Sequence, residues 1–231
     1  MGKPLLVLAS NSPRRRELLA LCGWMFNVRA AGVDESQRPG EAPGPYVLRL
    51  AESKARACAV SAHADLTILA ADTAVADGKA ILGKPKDMAE AAAMLKQLRG
   101  RTHQVYTGIA VMRMSDGNLV TDLCVTEVPM RAYSDEEIDA YVATGDPLDK
   151  AGAYAIQNPK FHPVPFGNRD NHVENMAGCY ASVMGLPLCH LTRSLQRLEI
   201  APRNDVPAEC QSSLKYTCPI SAAVLRGEQA G

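Results

Sequence analysis

The sequence lacks an excess of either charge: 25 Lys and Arg stand against 25 Asp and Glu, for a formal net charge of zero. Chains that hold nucleic acid or a membrane surface through bulk charge carry a basic excess. Neither partner is therefore expected, and any basic site has to be local. Long apolar runs are missing too. None approaches the ~20 residues of a membrane span. The early run PLLVLA (4–9) is too short for a signal peptide core, and its arginines follow rather than precede it. The expected location is cytoplasmic. There is no CxxC pair, which removes the usual framework of a structural zinc site. The seven cysteines, an odd number without a secretion signal, are expected as free, buried thiols. GxxxxGK[ST] is absent, so there is no P-loop, and the five histidines stand in no triad-like spacing.

What is present is enough for a core. Hydrophobic residues make up 47% of the 231 and charged residues 22%, suited to one large domain or two small ones. Buried strands are expected at Leu5–Ala9 and Leu66–Ala71, the latter ending at Asp72-Thr73, and another at Phe26–Ala31. Helices are expected at Pro13–Cys22, closed by Gly23, and at Tyr46–Ala62. A second region begins near Lys79. Asp87 with Glu90 and Ser134 with Glu137 form capping boxes. Ser115-Asp116-Gly117-Asn118 joins two strands, Val105–Met114 and Leu119–Pro129, as a hairpin. Further strands are expected at Ala153–Ile156 and Cys179–Met184, a polar loop over 158–177, and a helix from about Pro187 to Leu198. Residues 201–231 carry no clear pattern and are expected as a loose tail beyond a domain spanning 1–200. Alternating elements with one long hairpin imply α/β with a mixed sheet flanked by helices. Ligands in such sheets sit beyond the carboxyl ends of strands, where SNSPRRR and ADT fall.

SPRRR (12–16) sets a puzzle. Ser12 and Pro13 read as an N-cap and first helical residue. Arg14, Arg15 and Arg16 follow at the helix's positive end, where cations are disfavoured. With Arg14 at 0° and about 100° per residue, the apolar positions Leu18, Leu19, Leu21 and Cys22 centre near about 60°. Arg14 and Arg15 then face inward over the strand ends, and Arg16 faces out. The inward pair needs an anion, either Asp/Glu elsewhere or a ligand held with the help of the helix N-terminus.

Other chemistry-bearing residues are scattered. Asp72 follows a buried apolar run and is a candidate general base, metal ligand or structural residue, with the Thr73 hydroxyl beside it. Asp34 and Glu35 add carboxylates of the kind Mg²⁺ prefers. Lys54 lies in AESKARA and Lys84 in a Gly-Lys-Pro turn. Gln157 both donates and accepts, as reading a base edge requires. Ser10 and Ser12 are phosphate donors or caps.

Taken together, LASNSPRRRELL (8–19), ESKARA (52–57), LAADTAV (69–75), ILGKPKDMAEAAAMLKQLRGRTHQVYTG (81–108), DKAGAYAIQ (149–157) and VMGLPL (183–188) resemble the Maf family of nucleoside triphosphate pyrophosphatases, in family order over about 8–200. The resemblance implies a mixed α/β fold with two lobes around a cleft, related to the ITPases. It also implies a homodimer and a divalent metal, Mg²⁺ or Mn²⁺. The implied reaction is hydrolysis of a nucleoside triphosphate to the monophosphate and pyrophosphate. By the same resemblance Asp72 is the proton acceptor, and Glu35, Lys54 and Lys84 are catalytic, with Glu35 and Asp72 near the metal. Ser10 and Arg15 bind phosphate; Arg14, Thr73 and Gln157 set substrate choice. SPRR, ADT and AIQ resemble the dTTP/UTP branch. A 7-methyl-GTP pyrophosphatase and a non-catalytic nucleotide-binding regulator of septum formation stay open as alternatives. The segment after Gln157 is longer than the family's glycine-rich link, and 201–231 has no evident family counterpart.

Overall fold

The computed structural model describes residues 5–30, 32–60, 63–167 and 172–231, Leu5 by its backbone only. The far ends of the expected strand at Ala31 and helix at Ala62, and the middle of the 158–177 loop, lie outside these residues. Six strands form one mixed sheet: β1 (Leu5–Leu8), β2 (Phe26–Val28), β3 (Leu66–Asp77), β4 (Ala80–Leu82), β5 (Thr102–Arg113) and β6 (Leu119–Pro129). Its order is β2-β1-β3-β5-β6, with β4 also paired to β3. β2 and β3 run parallel to β1. β5 runs antiparallel to both β3 and β6, the pairing with β6 being what the Asp116–Asn118 turn dictates.

Eight helices flank the sheet among the described residues: α1 (Pro13–Ala20), α2 (Pro43–Ala59), α3 (Met88–Leu98), α4 (Asp135–Val142), α5 (Tyr180–Val183), α6 (Leu188–Gln196), α7 (Val206–Leu214) and α8 (Ser221–Leu225). The caps follow the sequence. Ser134 and Glu137 exchange side-chain-to-backbone bonds at α4, while Asp87 caps α3 and Glu90 accepts from the Lys86 N–H instead. None of these helices is long and apolar enough to cross a membrane.

Two apolar clusters sandwich the β1 end of the sheet. One contains Val7, Ala51, Ala55, Ile68 and Ala70 beneath α2, and the other Leu6, Leu69, Ile109 and Leu191 on the opposite face. A third fills the far end around Val75, Leu95, Val105, Tyr133 and Phe161. The sheet thus carries two lobes. All seven cysteines are free thiols.

Four expectations need correction. β3 does not stop at Asp72, because β5 keeps pairing with it from Thr67 to Ala76. Ala153–Ile156 is not a strand. A 3-10 turn occupies Ala151–Ala153, with Gly152 and Ala153 both at positive φ, which no strand tolerates. Cys179–Met184 holds the short helix α5 rather than a strand. The tail is not loose: α7 and α8 form there and bury Val206, Tyr216 and Val224. The described parts of the 158–177 segment, 158–167 and 172–177, are irregular as expected, yet Phe161, Val164 and Val173 anchor them in the core.

Candidate active site

One edge of β3 is taken by two strands in turn. β1 pairs with it up to Leu69, and β4 from Val75 onward. Between them, among the described residues, no strand covers that edge. The gap opens into a cleft of about 660 Å³, with Asp72 and Thr73 on its floor. The chain leaving β1 turns through Ser10 into α1 on one side. The turn after β4, carrying Lys84, and the 149–157 segment form the other.

Alternation along β3 separates the two floor residues. Ile68 and Ala70 pack beneath α2, so Asp72 continues that face. α2 buries Val47, Leu50, Ala51, Lys54, Ala55 and Cys58 against the sheet, a stripe with helical spacing that turns Lys54 toward Asp72. Gly108 stands opposite Asp72 on β5. A Cβ there would lie 2.7 Å from the Val47 carbonyl oxygen. The α2 backbone can lie directly on the sheet at this level because the residue has no side chain.

Lys54 Nζ is 2.5 Å from Asp72 Oδ1 and 2.7 Å from Glu35 Oε1. Lys54 and Asp72 are buried, while the Glu35 side chain keeps 59% of its exposure. The Glu35 loop is pinned to α2: the Tyr46 hydroxyl donates to the Glu35 carbonyl (2.8 Å) and Arg49 donates to the Ser36 carbonyl (3.0 Å). Burial pushes the Asp72 carboxyl above its ordinary range, and Lys54 and Arg15 offset only part of that. A carboxylate in this state is a stronger base than an exposed one.

Thr73 points to the other face, toward Arg15. The Arg15 guanidinium donates to Ser10 Oγ (3.2 Å), Thr73 Oγ1 (3.3 Å) and the Gly185 carbonyl (2.9 Å). Thr73 Oγ1 is 3.0 Å from Thr107 Oγ1, which donates to the Ser182 carbonyl (2.9 Å). Burial lowers the Arg15 pKa, with the Asp72 charge opposing, but a guanidinium stays charged in any protein environment. Among the described residues no carboxylate bonds to it, so its charge faces the cleft without an ion-pair partner from them. Ser12 caps α1 by accepting from the Arg15 N–H (3.4 Å). Arg16 is exposed and Arg14 partly buried, as the helical wheel requires.

The nine residues to which the family resemblance gives a role all line this cleft: Ser10, Arg14, Arg15, Glu35, Lys54, Asp72, Thr73, Lys84 and Gln157. Asp34 is not among its lining residues; it takes the Ser36 N–H and is exposed. Lys84 and Gln157 are exposed at the rim. Their turns are tied together where the Gly152 N–H donates to the Gly83 carbonyl (3.1 Å).

Sequence reasoning missed Lys150 and Tyr46, which also line the cleft. Lys150 is buried, with its ammonium on Asp146 Oδ1 (2.8 Å) and Asp149 Oδ1 (2.6 Å). The signal was a lysine preceded by two acids, Asp146 and Asp149, at the head of the small-residue run AGA. Tyr46 carried no signal, since its role depends on where the Glu35 loop folds back. As for a metal, two carboxylates converge on the one Lys54 nitrogen beside an open cleft. That is a hard-oxygen donor set of the size Mg²⁺ uses when phosphate oxygens and water complete its shell. Among the described residues, no group of three or more His, Cys, Asp or Glu could hold a metal by itself.

The family model described as Maf-like protein matches residues 5–198. The chain is 45% identical over 198 residues to the dTTP/UTP pyrophosphatase of Geobacter sulfurreducens, covering 86% of this chain and 98% of that protein. It is 48% identical over 193 residues to the dTTP/UTP pyrophosphatase of Myxococcus xanthus, covering 84% and 92%. Among solved structures, the Ham1 protein of Staphylococcus aureus aligns over 91% of this chain and 98% of its own, at 15% identity and a TM-score of 0.44.

Proposed function

The chain belongs to the Maf family, and from that premise we propose that it hydrolyses dTTP and UTP to the nucleoside monophosphate and pyrophosphate. Relatives at about this level of identity bear that activity as their name. The observation that carries the reading is the gap in the edge of β3. It sets a buried carboxylate, Asp72, beside three cationic side chains, Arg15, Lys54 and Lys84, in one open cleft.

Phosphoryl chemistry needs positioning and charge stabilisation more than covalent help. Arg15, held by Ser10, Thr73 and Gly185, meets the triphosphate together with the N-terminus of α1. Lys84 closes on it from the rim. Asp72 accepts a proton from the water that attacks the α-phosphorus. Lys54, bonded to Asp72 Oδ1, fixes the carboxylate's orientation and leaves its second oxygen for the water. Glu35 and Asp72 would hold a divalent cation, which when bound supplies further neutralisation of the phosphate charge. Arg14, Thr73 and Gln157 set the preference for the pyrimidine.

The test is pyrophosphate release from dTTP, UTP, CTP and 7-methyl-GTP with Mg²⁺ or Mn²⁺. Turnover is expected with dTTP and UTP. Preference for 7-methyl-GTP would move the chain to the other branch, and no pyrophosphate from any of them would overturn the enzymatic reading.

A further inference from the structure

Residues 201–231 lie beyond the segment matched by the family model, yet they touch both elements that hold Arg15. The first contact is at the C-terminal end of α1. Trp24 Nε1 donates to the Ala201 carbonyl (2.9 Å), the Arg203 N–H to the Cys22 carbonyl (3.2 Å) and Asn204 Nδ2 to the Leu21 carbonyl (3.0 Å). The approach is close: a Cβ on Gly23 would come within 2.7 Å of the Asn204 side chain. The second contact is at α5. The Tyr216 ring stacks on Tyr180 with centroids 4.9 Å apart and planes at 25°. Both rings are buried.

α5 is only four residues long, too short to hold its own place. Its C-terminal end supplies the carbonyls that arrange Arg15. Ser182 O accepts from Thr107 Oγ1 and from the Gly185 N–H (2.8 Å), and Gly185 O accepts from Arg15 Nε. Gly185 is at φ 108 and a Cβ there would lie 3.3 Å from Arg15 Nε, so the guanidinium rests directly on this backbone. A shift of α5 therefore moves an acceptor of Arg15.

We propose that the C-terminal extension positions the phosphate-binding arginine, with Tyr216 as the positioning residue that acts on Arg15 through Tyr180 and the α5 backbone. This rests on the phosphate role proposed for Arg15. Two binding sites in one chain are not required. No residue of the extension lines the cleft; it fixes the strap on which Arg15 lies.

The test reads binding of inorganic triphosphate by calorimetry, so that it stands whether or not the chain turns over dTTP and UTP. Four full-length proteins form a double-mutant cycle: wild type, Tyr216→Ala, Arg15→Ala and the double variant. Tyr216→Ala is expected to weaken triphosphate binding about tenfold in the wild-type background and less than about twofold when Arg15 is already absent, a coupling within the range found for residues sharing one network. Tyr216→Phe, which keeps the stack, should bind as wild type. Val224→Ala, buried in α8 and outside the apolar cluster that holds both rings, should lower stability without changing affinity. If Tyr216→Ala does not fold, Tyr216→Leu keeps apolar bulk without the ring and should show the same coupling. Equal weakening in both backgrounds, or none in either, overturns the proposal. Loss of turnover by the wild type with the coupling intact would overturn the proposed reaction and leave this inference standing.

Discussion

On the floor of the cleft, Lys54, Asp72, Arg15, Ser10, Thr73 and Thr107 are bonded to one another or to backbone held by its own bonds. On the rim, the side chains of Arg14, Lys84 and Gln157 make no hydrogen bond or ion pair among the described residues. The floor is desolvated, so its charges act at low local dielectric and are aligned before substrate arrives. The rim is hydrated and its side chains are free to turn toward whatever lies in the cleft. A fixed floor suits the part that all nucleotides share, the triphosphate and the attacking water. A loose rim suits the part that differs between nucleotides. This contrast predicts that substituting Lys54, Asp72 or Arg15 lowers turnover on every substrate and that substituting Arg14 or Gln157 alters the ratio between substrates. Lys84, on the rim but proposed to meet the phosphates, and Thr73, on the floor but proposed to act in base choice, are the two exceptions.

The largest effect is expected at Asp72. Asp72→Asn removes the proposed proton acceptor and should lower kcat for UTP by ~10²-fold or more, measured as pyrophosphate release. A normal rate in that variant would remove the floor from the mechanism. Arg15→Ala should follow, at roughly 10²-fold in kcat/KM, the scale of losing one prealigned charge-stabilising donor. The loss should be similar for dTTP and UTP. If it differs strongly between bases, Arg15 belongs with the rim.

Gln157→Ala should have a smaller, selective effect. A lost hydrogen bond to a base edge shifts discrimination by about tenfold. The ratio of kcat/KM for UTP to that for 7-methyl-GTP is expected to fall, with the fold intact by melting. A uniform loss on both would erase the distinction between rim and floor. The pH profile sharpens it from the other side. Burial raises the Asp72 pKa, and the base must be ionised, so the acid limb of kcat/KM should lie above the ordinary Asp value of about 3.9. Stability should not follow that limb. The raised pKa means that ionised Asp72 opposes folding above it, and the cost disappears as the pH falls through it. Glu41, lowered to about 2 by Arg49, works in the opposite sense. Its stabilisation is present above its ordinary pKa and is lost as pH drops from there toward 2.

The floor was more legible in the sequence than the fold that carries it. SPRRR declares its inward arginines by helical spacing alone, because the N-cap fixes where the helix starts and the apolar face fixes its rotation. Asp72 was legible as a carboxylate after an apolar run, but its setting was misread. A strand edge that changes partner from β1 to β4 leaves no mark in β3, where both halves are simply apolar. The stretch 179–184 reads as a strand from its apolar run. It folds as a helical turn because Thr107 and Thr126 on the sheet below claim its backbone through Ser182 O, Cys179 O and the Cys179 N–H. Tyr216 and the extension were illegible for a similar reason. Short helices that gain their stability from tertiary contacts carry little propensity of their own.

The smallest expected effect is also the closest comparison in the molecule. Arg15 and Arg16 are neighbours at the same helix end, with the same charge and one residue apart in their separation from Ser12. If the N-terminal field of α1 and simple cation density governed the site, both would matter comparably. The geometry separates them instead. Arg15 turns inward onto Ser10, Thr73 and Gly185, while Arg16 is exposed to solvent and takes no part in the cleft lining. A solvated charge on the outer face of the helix is screened and worth little. Arg16→Ala should therefore change kcat/KM by less than about threefold and stability by no more than about 0.5 kcal/mol. It also removes a cation from the positive end of a helix, where the macrodipole opposes it, so any change in melting temperature should be upward. A loss of activity matching that of Arg15→Ala would mean that bulk charge, not the bonded floor, draws the triphosphate in.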